Sequence, residues 1–242
     1  YMQPKLRDLL PNPSRFKDLD KAVERLTKLV VGGRILGVFG DYDVDGAAAA
    51  ALLVTVMRQL GVASEVHIPD RFSEGYGPNA AALQALQAKG AELILTVDCG
   101  ITAHAPLAAA ADAGIDVIVV DHHIAGPELP RAHAVVNPNR LDEDGAYGHL
   151  CATGLVFILL VGLVRRLREM GRFGPDRPAP DLIAYLDVVA LATVCDVVPL
   201  VGVNRAFVVQ GLKVMAGRGH VGLAALADVA GLTDAPSPYT LG

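Results

Sequence analysis

The segment "GDYDVDG" at residues 40–46 sets Asp41, Asp43 and Asp45 at every second position, between the apolar runs "RILGVF" and "AAAAALLVTVM". In an extended chain, residues i, i+2 and i+4 face one side. Carboxylates gathered on one side repel one another unless protons or cations intervene. Two more acidic points close apolar runs: Asp98 ends "LILTVD", and Asp121, followed by His122 and His123, ends "DVIVVD". Asp196, in "CDVVPL", closes a strongly apolar stretch of helical character. A carboxylate there opposes the helix dipole, which favours cations at that end. An oxygen-rich set with one or two imidazoles suits Mn²⁺ or Mg²⁺ better than a thiolate-seeking metal. The carboxylates outnumber what one divalent ion needs, so two ions are expected. Two ions activate a water and clamp a phosphoryl oxygen, which implies phosphoester hydrolysis without a covalent intermediate.

The elements that must bring these residues together are short apolar runs alternating with Ala/Leu-rich stretches. After a helical lead-in, "LDKAVERLTKLV", strands are predicted at "RILGVFG", "ASEVHIP", "AELILTVD", "IDVIVVD" and "HAVVNP", with helices over 46–60, 78–89 and 103–113. Fully apolar strands followed by helices indicate a parallel sheet covered on both faces. The fold class expected is therefore α/β: an open, mainly parallel five-stranded sheet over about residues 30–140, then a helical part over about 150–235. Helices are predicted there at about 150–170, 181–195, 204–216 and 221–230, with a Gly/Pro-rich loop, "GRFGPDRPAP", between two of them. In an open parallel sheet the carboxyl ends of the strands share one edge, and ligands bind there. The turn at 41–45, Asp98 and Asp121–His123 thus converge on one site.

Of the competing motifs, the EF-hand fails and a haloacid-dehalogenase-like site is the runner-up. "DYDVDG" matches the first six positions of a calcium EF-hand loop, but position twelve, which needs a bidentate Glu, is Leu52, and position nine is Ala49. An apolar strand leading into Asp-x-Asp is similar to haloacid-dehalogenase-like phosphatases. Thr96 could supply that family's hydroxyl, but none of the six lysines follows a strand end. There is no GxSxG, and none of the four serines sits at a strand-to-helix elbow. No GxGxxG or Walker loop follows the first strand.

With 52% hydrophobic and 19% charged residues in 242, the chain can bury a sizeable core. Its greasiest windows are too short for a membrane span or interrupted by Asp187 and Asp196, and no signal peptide is read. Cys99, Cys151 and Cys195 are odd in number and widely spaced, which fits a reducing cytoplasm and not a disulfide framework. A net charge of −5 does not advertise nucleic-acid binding for the chain as a whole, though a local basic groove is compatible with it. The ends, "YM" and "SPYTLG", look cut, so the chain is expected to be a piece of a longer protein.

Four motifs in order, "DYDVDG", "TVDCG", "VVDHH" and "CDVVPL", resemble those of the DHH phosphoesterase superfamily. With "IPDRFSEGYG" and "VVNPN", their wording is similar to the RecJ-like branch, over about residues 35–205. The resemblance implies a 5′-to-3′ exonuclease specific for single-stranded DNA, acting in repair and recombination. It implies Asp43, Asp45, Asp98, His122 and Asp196 as ligands of two Mn or Mg ions, with Asp98 bridging, and Asp41 as a further ligand where relatives outside this branch carry His. His123 would contact the scissile phosphate or assist the leaving oxygen, and Asp121 would orient an imidazole. In "RFSEGYG", Arg71 would bind a 5′-phosphate bidentately. Phe72 or Tyr76 could offer a stacking face to a base. Such proteins continue into a second domain that closes over the cleft, which is expected to lie outside this chain. Single-strand-binding protein or helicase partners would act through those further regions. The alternatives are a DHH-type phosphodiesterase or pyrophosphatase for small phosphates or short oligonucleotides, and an inactive DHH scaffold.

Overall fold

All five apolar runs form strands in the computed structural model, which describes residues 4–232 and 234–242. The chain enters through α1 (Leu6–Leu9), a 3₁₀ turn at Pro13–Arg15 and α2 (Leu19–Gly32). The α/β part then runs β1 (Ile35–Gly40), α3 (Val44–Gln59), β2 (Ser64–His67), α4 (Ala80–Ala88), β3 (Ala91–Val97), α5 (His104–Asp112), β4 (Asp116–Val120) and β5 (Ala134–Val136). The strands lie in the order β2-β1-β3-β4-β5, and every pair is parallel. The helical part follows with α6 (Ala152–Glu169), a 3₁₀ turn at Leu182–Tyr185, α7 (Leu186–Cys195), α8 (Gly202–Ala216), α9 (Val221–Val229) and α10 (Pro238–Leu241).

Strand side chains alternate between two cores, as the two-residue period of a strand requires. Leu36, Val38, Leu93, Leu95, Val97, Ile118 and Val120 pack against α2, α3 and α6 on one face. Phe39, Ile94, Val117, Val119 and Val135 meet Leu83 and Leu86 of α4 and Leu107 and Ala110 of α5 on the other. In the helical part, α7 and α8 run in close contact. Gly211 makes that possible, because a Cβ there would lie 2.1 Å from the Leu186 carbonyl oxygen.

Three local departures from the sequence expectation have simple causes. α3 begins at Val44, two residues before the predicted start, because the Asp43 carboxylate accepts the Gly46 amide at 2.9 Å and caps the helix. Asp45 is therefore helical and Asp43 is the cap just before the helix, so the three carboxylates do not share one side of a strand. The terminal stretch "SPYTLG", for which no helix is predicted, contains α10, opened by a Ser237–Thr240 capping box. The predicted helix over 181–195 is a 3₁₀ turn feeding α7, with Asp181 capping the turn.

Candidate metal centre

Sheet register alone aligns half of the site. Asp41, Asp98 and Asp121 each follow the last residue of a strand, and each donates its amide to the final carbonyl of the next strand: Asp41 to Val97 at 3.2 Å, Asp98 to Val120 at 3.0 Å, Asp121 to Val136 at 3.1 Å. Asn137, directly after β5, completes the row. Neighbouring strands are about 4.8 Å apart, so side chains on one row cannot avoid one another. Asp41 and Asp45 are 3% and 1% exposed, Asp98 is 1%, and Asp121 is fully buried.

Asp43, Asp45 and Asp196 come from helix ends. Asp45, in the first turn of α3, points its carboxylate at the start of α6, accepting the Ala152 amide at 2.6 Å and the Thr153 amide at 2.8 Å. The Thr153 hydroxyl returns a bond to the Asp45 carbonyl at 3.0 Å. Gly46 lets this turn fold under β1, since a Cβ there would sit 2.6 Å from the Asp41 amide nitrogen. Asp196 is the C-cap of α7, as its position in the sequence suggested. The chain is turned immediately after it by Val197, a β-branched residue in the left-handed region at φ 56°. Asp98 itself adopts φ 61°. Such backbone strain concentrates where a side chain must be aimed.

His122 Nε2 stands among three carboxylates, 3.2 Å from Asp98, 3.6 Å from Asp196 and 3.9 Å from Asp45. Two carboxylate-rich groups with ligand atoms within 4.8 Å of one another lie side by side, Asp41–Asp43–Asp98 and Asp45–His122–Asp196; a third, Asp98–His122–His123, spans the gap between them. Asp41 Oδ1, Asp98 Oδ1, His122 Nε2 and Asp196 Oδ2 are buried with no hydrogen-bond partner. Four buried polar atoms without partners among the candidate ligands leave a strong demand for a cation. Burial first, then the charges of Asp45 and Asp43, push the Asp98 carboxyl up to about 10. Burial raises Asp196 to about 6, with His122 opposing and Asp45 and Asp43 adding to the rise. Burial also raises Asp41. The donors are hard oxygens with imidazole, a set that fits Mn²⁺ or Mg²⁺.

Asp121 does orient an imidazole, and it is that of His123. His123 Nδ1 donates to Asp121 at 2.7 Å, while the same carboxylate accepts the amides of Ile101, His122 and His123. The hydrogen bond to Asp121 raises the His123 pKa against the opposing effect of burial. Burial would raise Asp121, but the His123 hydrogen bond and charge and the surrounding amides outweigh it and hold the carboxyl low. The Tyr76 hydroxyl reaches His123 Nδ1 and the Asp98 carbonyl, each at 3.4 Å. Arg71 is exposed and lies over the Tyr42 ring, 5.4 Å from its centroid. Phe72 is 96% exposed and touches nothing at the site. Thr96 is sealed in the core below Gly100, which removes the hydroxyl that a haloacid-dehalogenase-like site would need.

Two supports carried no role in the sequence reading. The Asn137 amide donates to the His123 carbonyl at 2.9 Å. That of Asn139 donates to the carbonyls of His122 and Gly148. "VVNPN" thus clamps the backbone of both histidines; the visible signal was two Asn flanking Pro138 directly after a strand. Beside the acidic turn, an apolar groove of about 660 Å³ opens between α3, α7 and the start of α9, with Tyr42 and Asp43 at its mouth.

Comparison with known proteins bears on the family and the fold. A family model described as "DHH family, N-terminal domain" matches residues 36–193. The chain is 42% identical to the single-stranded-DNA-specific exonuclease RecJ of Escherichia coli (strain K12) over 219 residues, which cover 89% of this chain and 38% of that relative's length. A crystal structure of exonuclease RecJ bound to manganese superposes with a TM-score of 0.81 at 36% identity, covering 96% of this chain and 55% of the other. RecJ from Thermus thermophilus in complex with Mn²⁺ gives 0.73 at 34% identity, covering 93% and 30%.

Proposed function

The chain belongs to the DHH family, and on that premise we propose that it is the catalytic domain of a metal-dependent exonuclease that degrades single-stranded DNA from the 5′ end. The observation that carries this reading is the pair of ligand groups with four orphaned buried atoms between them. Asp41, Asp43 and Asp98 would hold one Mn²⁺ or Mg²⁺ ion and Asp45, His122 and Asp196 a second, with Asp98 reaching both. When bound, the pair would activate a water for attack and neutralise the phosphoryl oxygens. His123 is held by Asp121 through Nδ1, which leaves Nε2 to hydrogen-bond the scissile phosphate or give a proton to the leaving oxygen. Tyr76, beside His123, would bound the path of the strand. Arg71, at the end of the sheet edge, would take the 5′-phosphate. A terminal phosphate carries more charge than an internal diester.

In this reading the α/β part, about 30–140, and the helical part, about 150–235, form one catalytic domain of a larger protein. Regions outside it would close over the cleft and meet single-strand-binding protein or helicase partners in DNA repair and recombination. No helix among the described residues is long and apolar enough to cross a membrane, which is compatible with work in the cytoplasm. The test offers the full-length protein a long 5′-phosphorylated strand beside pyrophosphate, a cyclic dinucleotide and a short oligonucleotide, in manganese and in magnesium. Release of 5′-terminal label before 3′-terminal label, with preference for the long strand, is expected. Preference for the small phosphates would replace this substrate with theirs.

A further inference from the structure

Arg71 has two acidic neighbours in sequence, Asp70 and Glu74, and uses neither. Asp70 accepts the amides of Phe72 and Ser73 and the Ser73 hydroxyl. Glu74 accepts the Asp70 amide, the Asn79 side chain and His67 Nε2, and the His67 ring stacks on Phe39 in the core. Both carboxylates are committed to folding the loop. Among the described residues, Arg71 has no ion pair or hydrogen bond; its one contact of note is the ring of Tyr42. Tyr42 is fixed from both sides. Asp41 is tied to β3 through its amide, and Asp43 caps α3, so the backbone that carries the half-buried Tyr42 is held in place.

We propose that Tyr42 is the positioning residue for Arg71: its ring holds the guanidinium beside the metal-ligand turn with the N–H donors free for a terminal phosphate. A guanidinium stacked on an aromatic face keeps its fork of donors, whereas one paired to a carboxylate spends it. The stack also removes in advance much of the side-chain freedom that phosphate binding would otherwise take away. The residue between the first two carboxylates of "DYDVDG" is thus more than a spacer. It links recognition of the strand's end to the chemistry one strand away. This inference rests on the 5′-phosphate reading of Arg71, and its test separates the two.

Steady-state kinetics of the full-length protein would be measured on one strand carrying either a 5′-phosphate or a 5′-hydroxyl. The proteins are wild type, Tyr42→Leu, Tyr42→Phe, Arg71→Ala and the Tyr42→Leu/Arg71→Ala double variant. For the phosphorylated strand, Tyr42→Leu is expected to raise KM about two- to tenfold, the range of a cation–π contact. Its kcat, and both constants on the 5′-hydroxyl strand, should stay at wild-type values, which also shows that the acidic turn is intact. Tyr42→Phe keeps the ring and should keep the KM. In the Arg71→Ala background, Tyr42→Leu should add nothing, since residues acting through one another are not additive. Additive losses, or equal loss on both strands, would overturn the proposal by making the ring a contact to substrate in its own right. If Arg71→Ala treats the two strands alike, the 5′-phosphate reading falls, and the role of Tyr42 falls with it.

Discussion

The carboxylate row and the Arg71 loop leave the same sheet edge but are held by different means. Asp41, Asp98 and Asp121 are buried and pinned by backbone bonds that extend the strand ladder. The loop after β2, at the sheet's outer edge, is exposed and held by its own side chains, chiefly Asp70 and Glu74. Register fixes the row wherever the strands pair, so its geometry is hard to alter without unmaking the sheet. The loop can change its reach by one substitution. In the proposed function, chemistry would reside in the first region and discrimination in the second, and four variants measure how sharp that division is.

Asp98→Asn should have the largest effect. A neutral amide is a poor bridge, and the lost charge stabilisation of several kcal/mol corresponds to a fall in turnover of about a thousandfold or more on any strand. Circular dichroism should be unchanged, and near-normal turnover with unaltered metal content would end the bridging assignment. Asn139→Ala comes next. It releases the His122 and Gly148 carbonyls, and loss of such outer supports costs about ten- to a hundredfold in metal affinity or activity. Isothermal titration with Mn²⁺ measures it, and unchanged affinity would show that the ladder needs no clamp. Glu74→Ala should loosen the loop alone, lowering kcat/KM about fivefold on 5′-phosphorylated strands and leaving 5′-hydroxyl strands unaffected. An equal loss on both strands would merge the two regions. Phe72→Ala should stay within a factor of about two on either strand, as surface changes away from special features do. A larger loss would return Phe72 to the stacking role that its exposure in the free protein leaves open.

The row was legible because apolar strands ending in Asp can be read directly, and a parallel sheet puts such ends on one edge. Asp196 was legible for the opposite reason, as a carboxylate ill suited to the end of its own helix. Asp43 and Asp45 fall among the grouped candidate ligands, but Asp45 lies in a helix and not in the extended segment expected. Asp43 is a helix cap followed by an acidic first turn, a start signal that the long alanine run obscured. The clamp by Asn137 and Asn139 depends on which strand lies beside β4, and the contact of Arg71 with Tyr42 on which lies beside β1; pairing of that kind is absent from a linear pattern. The bond from Asp45 to α6 spans more than a hundred residues and has no local signature.

That last bond makes Asp45 common property of the acidic turn and of the helical part. Any ion that orders Asp45 also favours the arrangement in which α6 offers it two amides, and binding free energies are reciprocal. Anchoring of the helical part should then raise the affinity for the ion by the same factor as the ion strengthens the anchoring. The helical part thus reaches the acidic turn in two ways, through Asp196 at the end of α7 and through the two amides that α6 gives to Asp45.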